Sequence, residues 1–164
     1  MTTQAAPAAE STQLAPIVLK QQVGCPAARA FDYFTRDIAR WWPLSEHSCN
    51  AGVADDPPVD VAFEERVGGG LIETTRSGGK HRWGTVTIWE PGVRMAMTWH
   101  PGGDPAKAQS LDVTFAPNAG GTLVTLTHGG WDATRPGAVD VRKSYAGGWP
   151  VVFGKLYAGY CENA

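Results

Sequence analysis

Glycine and proline clusters divide residues 59–130 into six short runs, and this punctuation constrains the chain more than any other feature. The run 59–67 ends at Gly68-Gly69-Gly70, and 71–76 ends at Ser77-Gly78-Gly79. The run 81–90 ends at Pro91-Gly92, and 93–100 at Pro101-Gly102-Gly103. The run 110–115 leads to Pro117 and Gly120-Gly121, and 122–128 to Gly129-Gly130. Each run is too short for an independent helix and rich in β-branched or aromatic residues. Consecutive strands with such tight connections predict an antiparallel meander.

The flanks add one strand and the helices. Residues 15–23 read as an opening strand stopped by Gly24 and Pro26. Ala27, Ala30, Phe31 and Phe34 then recur at helical spacing, with Pro26 suited to the first turn. Thr35 is expected to cap a second short helix carrying Ile38, Trp41 and Trp42, which stops before Pro43. Residues 44–58 form a long loop, and long loops in compact domains are often functional. The last segment, 138–162, places Tyr145, Trp149, Val152, Leu156 and Tyr160 at steps of 4, 3, 4 and 4. That is one helical stripe, in which Pro150 must distort or restart the helix. The order predicts an α+β fold: a seven-stranded curved antiparallel sheet around a long C-terminal helix, with two short helices after the first strand.

Residues 15–164 are expected to form a single domain and residues 1–14 a disordered tail. That tail has neither a basic start nor an apolar run, so no secretory signal is expected and the reading is cytoplasmic. No run approaches the roughly 20 apolar residues of a membrane span. A net charge of −2 with no basic stripe offers no source of nucleic-acid affinity. The three cysteines lack a CxxC pair, and the four histidines lie on separate elements without ligand spacing, so no metal or other cofactor is expected. A homodimer is compatible with the sequence.

Strand side chains alternate in direction, so parity sorts the runs into faces. The inward sets are Val59, Val61, Phe63 and Glu65; Val93, Met95, Met97 and Trp99; Leu111, Val113 and Phe115; and Val124, Leu126 and His128. Val86 and Ile88 are expected inside, which puts Thr85, Thr87 and Trp89 outside. Trp83 follows Trp89 outward unless Gly84 marks a bulge.

Several segments together resemble a known family. Val23-Gly24-Cys25-Pro26-Ala27 entering a helix with Ala30-Phe31, and Phe63 followed by Val67-Gly68-Gly69 and Glu73, carry part of the resemblance. Gly84-Thr85-Val86, Trp89-Glu90-Pro91, Trp99, the strand ending at His128, and Gly148-Trp149 carry the rest. They are similar to the helix-grip fold of the SRPBCC superfamily, which includes START domains and the birch-pollen allergen. Within it they resemble the branch named after the activator of the heat-shock-protein-90 ATPase. The resemblance implies a cavity for a hydrophobic molecule and specifies no reaction.

The expected cavity is lined by Trp42, Phe63, Glu73, Met95, Met97, Trp99, His128, Trp131, Tyr145 and Trp149. Trp41, Trp42, Trp131, Tyr145 and Trp149 converge if the short helices meet the final helix across the mouth. Glu73, sharing the inner face with Leu71 and Thr75, suits a ligand anchor or an acid or base, against a solvated hairpin residue. His128 suits a rim contact more than a catalyst. No GxSxG elbow and no phosphate loop exist. The leading reading is therefore a binding module for a small hydrophobic or aromatic molecule. The alternatives are an enzyme of cyclase, dehydratase or hydrolase type using Glu73 with His128 or Tyr145, and a co-chaperone-like interaction domain.

Overall fold

The computed structural model describes residues 12–164, so most of the expected tail lies outside the described residues. Of its last residues, Gln13 forms a bridge with Asp132, and the Leu14 N–H donates to the Trp131 carbonyl at 2.9 Å. The chain runs β1 (Ile17–Val23), α1 (Ala27–Thr35), a 3₁₀ turn (Ile38–Arg40), then β2 (Pro58–Phe63) and β3 (Gly70–Thr75). It continues with β4 (Lys80–Glu90), β5 (Arg94–Trp99), β6 (Gln109–Asn118) and β7 (Gly121–Gly129). The closing helix has three parts: α2 (Ala138–Val151), a π turn (Val152–Tyr157) and α3 (Ala158–Asn163).

All seven strands form one antiparallel sheet in the order β1-β7-β6-β5-β4-β3-β2. The six later strands are the expected meander, and β1 closes onto the last of them, with Ile17 opposite His128 and Val23 opposite Thr122. The sheet curls around the closing helix. This is the α+β helix-grip architecture.

Two bulges in β4 decide which side chains enter the interior. Leu71 pairs with Gly84 while Ile72 pairs with Arg82, so Trp83 is an extra residue against β3. Val86 pairs with Met97 while Ile88 pairs with Ala96, so Thr87 is an extra residue against β5. Each insertion advances the parity by one. Trp83, Val86 and Trp89, three residues apart in each step, therefore all turn inward. Trp83 and Val86 are buried, and Trp89 packs edge-on to Phe31 at 5.2 Å. The expectation that Trp89 faces outward is corrected for this reason, while the bulge at Gly84 is present. Ile88 is only half-buried.

Simple alternation also fails at two strand starts. Val59 is 57% exposed because the β2 register slips between Pro58 and Asp60, and Val93 is 55% exposed because it belongs to the turn before β5. Glu65 lies beyond the end of β2 and is exposed, pairing with Arg36 at 3.2 Å.

The helices show comparable local corrections. The Thr35 hydroxyl donates back to the Phe31 carbonyl at 2.8 Å instead of capping the next turn. The second short helix is a single 3₁₀ turn preceded by Asp37. Pro150 lies within α2, and the π turn begins two residues later. A π turn carries an extra residue, which rotates the later side chains around the helix. The buried stripe accordingly passes from Trp149 and Val152 to Phe153, Tyr157 and Cys161, leaving Leu156 37% exposed.

Two aromatic clusters fill the space between sheet and helix. At one end Phe31, Phe34, Phe115, Phe153 and Tyr157 pack against one another, and the Tyr157 hydroxyl donates to the Ala30 carbonyl at 2.6 Å. At the other end Trp42, Trp83, Trp99, Trp149, Trp131 and Tyr145 gather under α2. The second cluster leaves a hollow.

Candidate functional site

The hollow measures about 360 Å³, within the size range of small-ligand sites. Its walls come from three sources. The loop between the 3₁₀ turn and β2 contributes Trp42, Glu46, His47, Ser48 and Cys49. The sheet contributes Trp83 and Trp99, joined by Pro101 from the turn after β5. One face of the closing helix contributes Val141, Ser144, Tyr145, Gly148, Trp149 and Val152. Trp42, Trp83, Trp99, Trp149 and Val152 are buried and form the floor; Glu46, His47, Val141 and Ser144 are exposed and form the rim.

Every buried indole N–H around the hollow is bonded within the chain. Trp42 donates to the His47 carbonyl at 2.6 Å and Trp83 to a Glu73 carboxylate oxygen at 2.9 Å. Trp99 donates to the Tyr145 hydroxyl at 3.1 Å, and Trp149 to His128 Nδ1 at 3.0 Å. The rings meet edge to face or tilted, with Trp42 at 5.3 Å from Trp83, 6.1 Å from Trp99 and 5.8 Å from Trp149. The polar N–H of each indole is thus satisfied by the protein, and what these side chains add to the hollow is apolar ring surface.

Glu73 is fully buried on β3, on the same face as Leu71 and Thr75. Besides Trp83, its carboxylate accepts from the Cys49 N–H at 2.7 Å and the Asn50 N–H at 3.0 Å. It therefore ties the long loop to the sheet. A second tie reinforces the first: Asp56 accepts from the Ser77 N–H at 2.7 Å and from the Thr75 hydroxyl at 3.0 Å. The Ser77 N–H bond holds the Asp56 carboxyl below its ordinary value. These contacts convert a long irregular loop into a fixed wall.

Replacing Glu73 with glutamine keeps the volume but turns a donor toward backbone N–H groups that need an acceptor. Glu73→Gln is expected to lower stability by about 1–3 kcal/mol, the scale of an unsatisfied buried group. Thermal unfolding would then shift down by about 2–4 °C per kcal/mol. An unchanged melting temperature would contradict the loop-tethering role.

His128 is also fully buried, at the end of β7. Its tautomer follows from its partners. An indole N–H can only donate, so Nδ1 accepts from Trp149, and Nε2–H donates to Gln109 Oε1 at 3.1 Å. Burial pushes its pKa down to about 3. Both nitrogens are engaged, and the ring is neutral near pH 7. The Cys49 thiol is pushed up to about 11 by burial and by the Glu73 charge, so it is no thiolate nucleophile. Burial also raises the Tyr145 phenol. Among the described residues, no three side chains of metal-ligating type converge.

Of the residues proposed from sequence, Trp42, Trp99, Tyr145 and Trp149 line the hollow. Met95, Met97, His128, Trp131 and Glu73 are buried immediately behind its walls or deeper in the core. Phe63 packs on Trp89 at 5.8 Å, in the other aromatic region. The expected cavity set did not include Glu46, His47, Ser48, Cys49, Trp83, Pro101, Val141, Ser144, Gly148 or Val152. Val141, Gly148 and Val152 stand 3 or 4 residues from Tyr145 or Trp149, so that spacing was a usable signal, and Ser144 follows only through its own step of 4 to Gly148. The loop members offered only the loop's length.

The profile of the family described as "Activator of Hsp90 ATPase homolog 1-like protein" matches residues 24–159. The chain belongs to this family. The match spans everything from the turn before α1 to the closing helix, so the hollow lies within the region that defines the Activator of Hsp90 ATPase homolog 1-like proteins. Solved structures with the same SRPBCC fold include a protein from Mesorhizobium loti, 21% identical with a TM-score of 0.62, over 87% of this chain and 93% of that one. A protein from Chromobacterium violaceum is 23% identical with a TM-score of 0.56, over 91% and 99% of the two chains. An anthrahydroquino-γ-pyrone synthase, Txn09, solved as a complex, is 28% identical with a TM-score of 0.59, over 90% and 97%. No curated protein sequence matches the chain. No helix among the described residues is long and apolar enough to cross a membrane.

Proposed function

We propose that this protein holds a small hydrophobic or aromatic molecule in the hollow between α2, the long loop and the ends of β4 and β5. The observation that carries this reading is that four indoles line the hollow with every N–H already bonded within the chain. What they offer a ligand is apolar aromatic surface suited to ring packing. The test is quenching of intrinsic tryptophan fluorescence by neutral naphthalene derivatives. Saturable quenching with a Kd on the order of 10–100 μM is expected for a probe of this size. Quenching that is linear in probe concentration, as for free N-acetyltryptophanamide, would defeat the reading.

A second reading, catalysis in the same hollow, is supported by the 28% identity with a synthase that makes a fused aromatic product. The chain's groups limit what such catalysis would use. Glu73 and His128 are fully engaged by neighbours, so the titratable groups that reach the hollow are Tyr145 and Cys49 in its wall and Glu46 and His47 at its rim. Mass analysis of a bound hydroxylated anthraquinone after incubation separates the readings: unchanged ligand supports binding, and a changed mass supports catalysis.

A further inference from the structure

We infer that the hollow selects planar aromatic molecules bearing an uncharged acceptor oxygen, and that the Tyr145 hydroxyl is the donor that recognises it. This inference rests on the ligand-binding reading above and names the ligand class for that site.

Tyr145 differs from the rest of the aromatic wall. The Trp42, Trp83, Trp99 and Trp149 N–H groups are all bonded within the chain. The Tyr145 oxygen accepts from Trp99, and among the described residues its own proton has no acceptor. Burial raises its pKa, so at neutral pH the hydroxyl keeps that proton. The bond from Trp99 polarises the hydroxyl in the direction that strengthens its donation. A hydroxyl with one acceptor contact filled and a proton unassigned, at the wall of an apolar hollow, suits a ligand carbonyl. The ring is held for this task by stacking on Trp149, at 6.4 Å and 27°.

Charge narrows the class further. Among the described residues lining the hollow, none is a lysine or arginine, and the imidazole of His47 stands at the exposed rim beside the carboxylate of Glu46. A second carboxylate, Glu73, sits directly behind Trp83 and Cys49. An anionic ligand inside the hollow would give up its hydration without meeting a lysine or arginine, and would face two like charges. Fatty acids and phosphate esters therefore fit poorly, whereas ketones, quinones and pyrones of aromatic ring systems fit.

The test uses three probes of one shape on the full chain: 2-acetonaphthone, 2-ethylnaphthalene and 2-naphthoate. The ketone should bind about 3–10-fold more tightly than the ethyl compound, as for one hydrogen bond, and more than about tenfold more tightly than the carboxylate. In Tyr145→Phe the ketone-to-ethyl ratio should fall to about 1. That ratio separates recognition from mere packing, because loss of the Trp99 acceptor weakens both probes together. Should Tyr145→Phe fail to fold, the wild type still decides. The carbonyl stretch of bound 2-acetonaphthone should lie below its frequency in hexane, toward its value in alcohol. A ratio unchanged in Tyr145→Phe, a hexane-like stretch, or naphthoate bound as tightly as ketone would each overturn the inference while leaving aromatic binding intact. Failure of all three probes to saturate would overturn the ligand-binding reading itself, and this inference with it.

Discussion

Gly84→Ala is expected to lower the unfolding free energy by about 3 kcal/mol or more, at the upper end of overpacking costs. A Cβ on Gly84 would lie 1.7 Å from the Thr98 carbonyl oxygen and 2.7 Å from its carbon, and both are backbone atoms of the neighbouring strand. A flexible side chain could swing aside, but a strand held by its own ladder cannot. The Trp83 carbonyl accepts from the His100 N–H at 2.7 Å, and the Thr85 N–H donates to the Thr98 hydroxyl at 2.9 Å, so β4 is pinned to β5 on both sides of Gly84. Relief would require the bulge to open, and the bulge is what turns Trp83 into the hollow. The variant should therefore lose aromatic-probe binding as well as stability. Urea unfolding measures the first effect and fluorescence titration the second. Gly147 is a suitable control, since a Cβ there meets nothing within 4 Å and the residue sits inside α2. Gly147→Ala should raise stability by up to about 1 kcal/mol. Gly84→Ala within about 0.5 kcal/mol of the wild type would refute the close-approach argument.

The second large effect is acid sensitivity from His128. Its ring is neutral in the folded state, with a pKa lowered from 6.5 to about 3 by burial. In the unfolded chain the same ring takes up a proton below about 6.5, so the unfolded state binds more protons than the folded state in that window. Stability is unaffected by this residue above about pH 6.5. It falls by about 1.4 kcal/mol per pH unit as pH drops toward 3, which amounts to about 3 kcal/mol at pH 4. Two measurements check this. The His128 ring resonance should not titrate between pH 7 and pH 4.5 while the protein remains folded. In His128→Gln the slope of stability against pH between 6.5 and 4.5 should be shallower than in the wild type by about one proton's worth, whatever the change in absolute stability. A ring that titrates near 6.5 in the folded protein would contradict the burial argument.

These effects show why part of the site was legible in the sequence and part was not. Trp99, Tyr145 and Trp149 were accessible to reasoning because period-2 and helical spacing hold over their segments. Trp42 followed from the expectation that the short helices meet the closing helix across the mouth. Trp83 and Trp89 defeated the same reasoning, because parity carries only as far as the nearest bulge and β4 has two. Gly84 marked one bulge in the sequence, since close backbone approach requires glycine. Thr87 marked the other with no distinctive residue type. Beyond Pro150, the π turn exchanged Leu156 for Tyr157 at the buried position, a one-residue rotation that a stripe of equal spacing cannot show.

Local interactions explain what the sequence by itself determined. Turn chemistry, strand alternation and helical periodicity act over a few residues, and they set the meander, the closing helix and the mostly apolar interior. The positions of the Glu73 carboxylate and the Tyr145 hydroxyl depend on contacts between distant segments. Glu73 is a loop tether because Cys49 and Asn50, 24 and 23 residues earlier, present their N–H groups to it. Tyr145 lines the hollow with its oxygen accepting from Trp99, 46 residues away, so its own proton is left without an acceptor among the described residues. Hydrogen-bond satisfaction of this kind is a property of the packed interior, where each polar group must find a partner among whatever the fold brings near. Only the tertiary structure decided it.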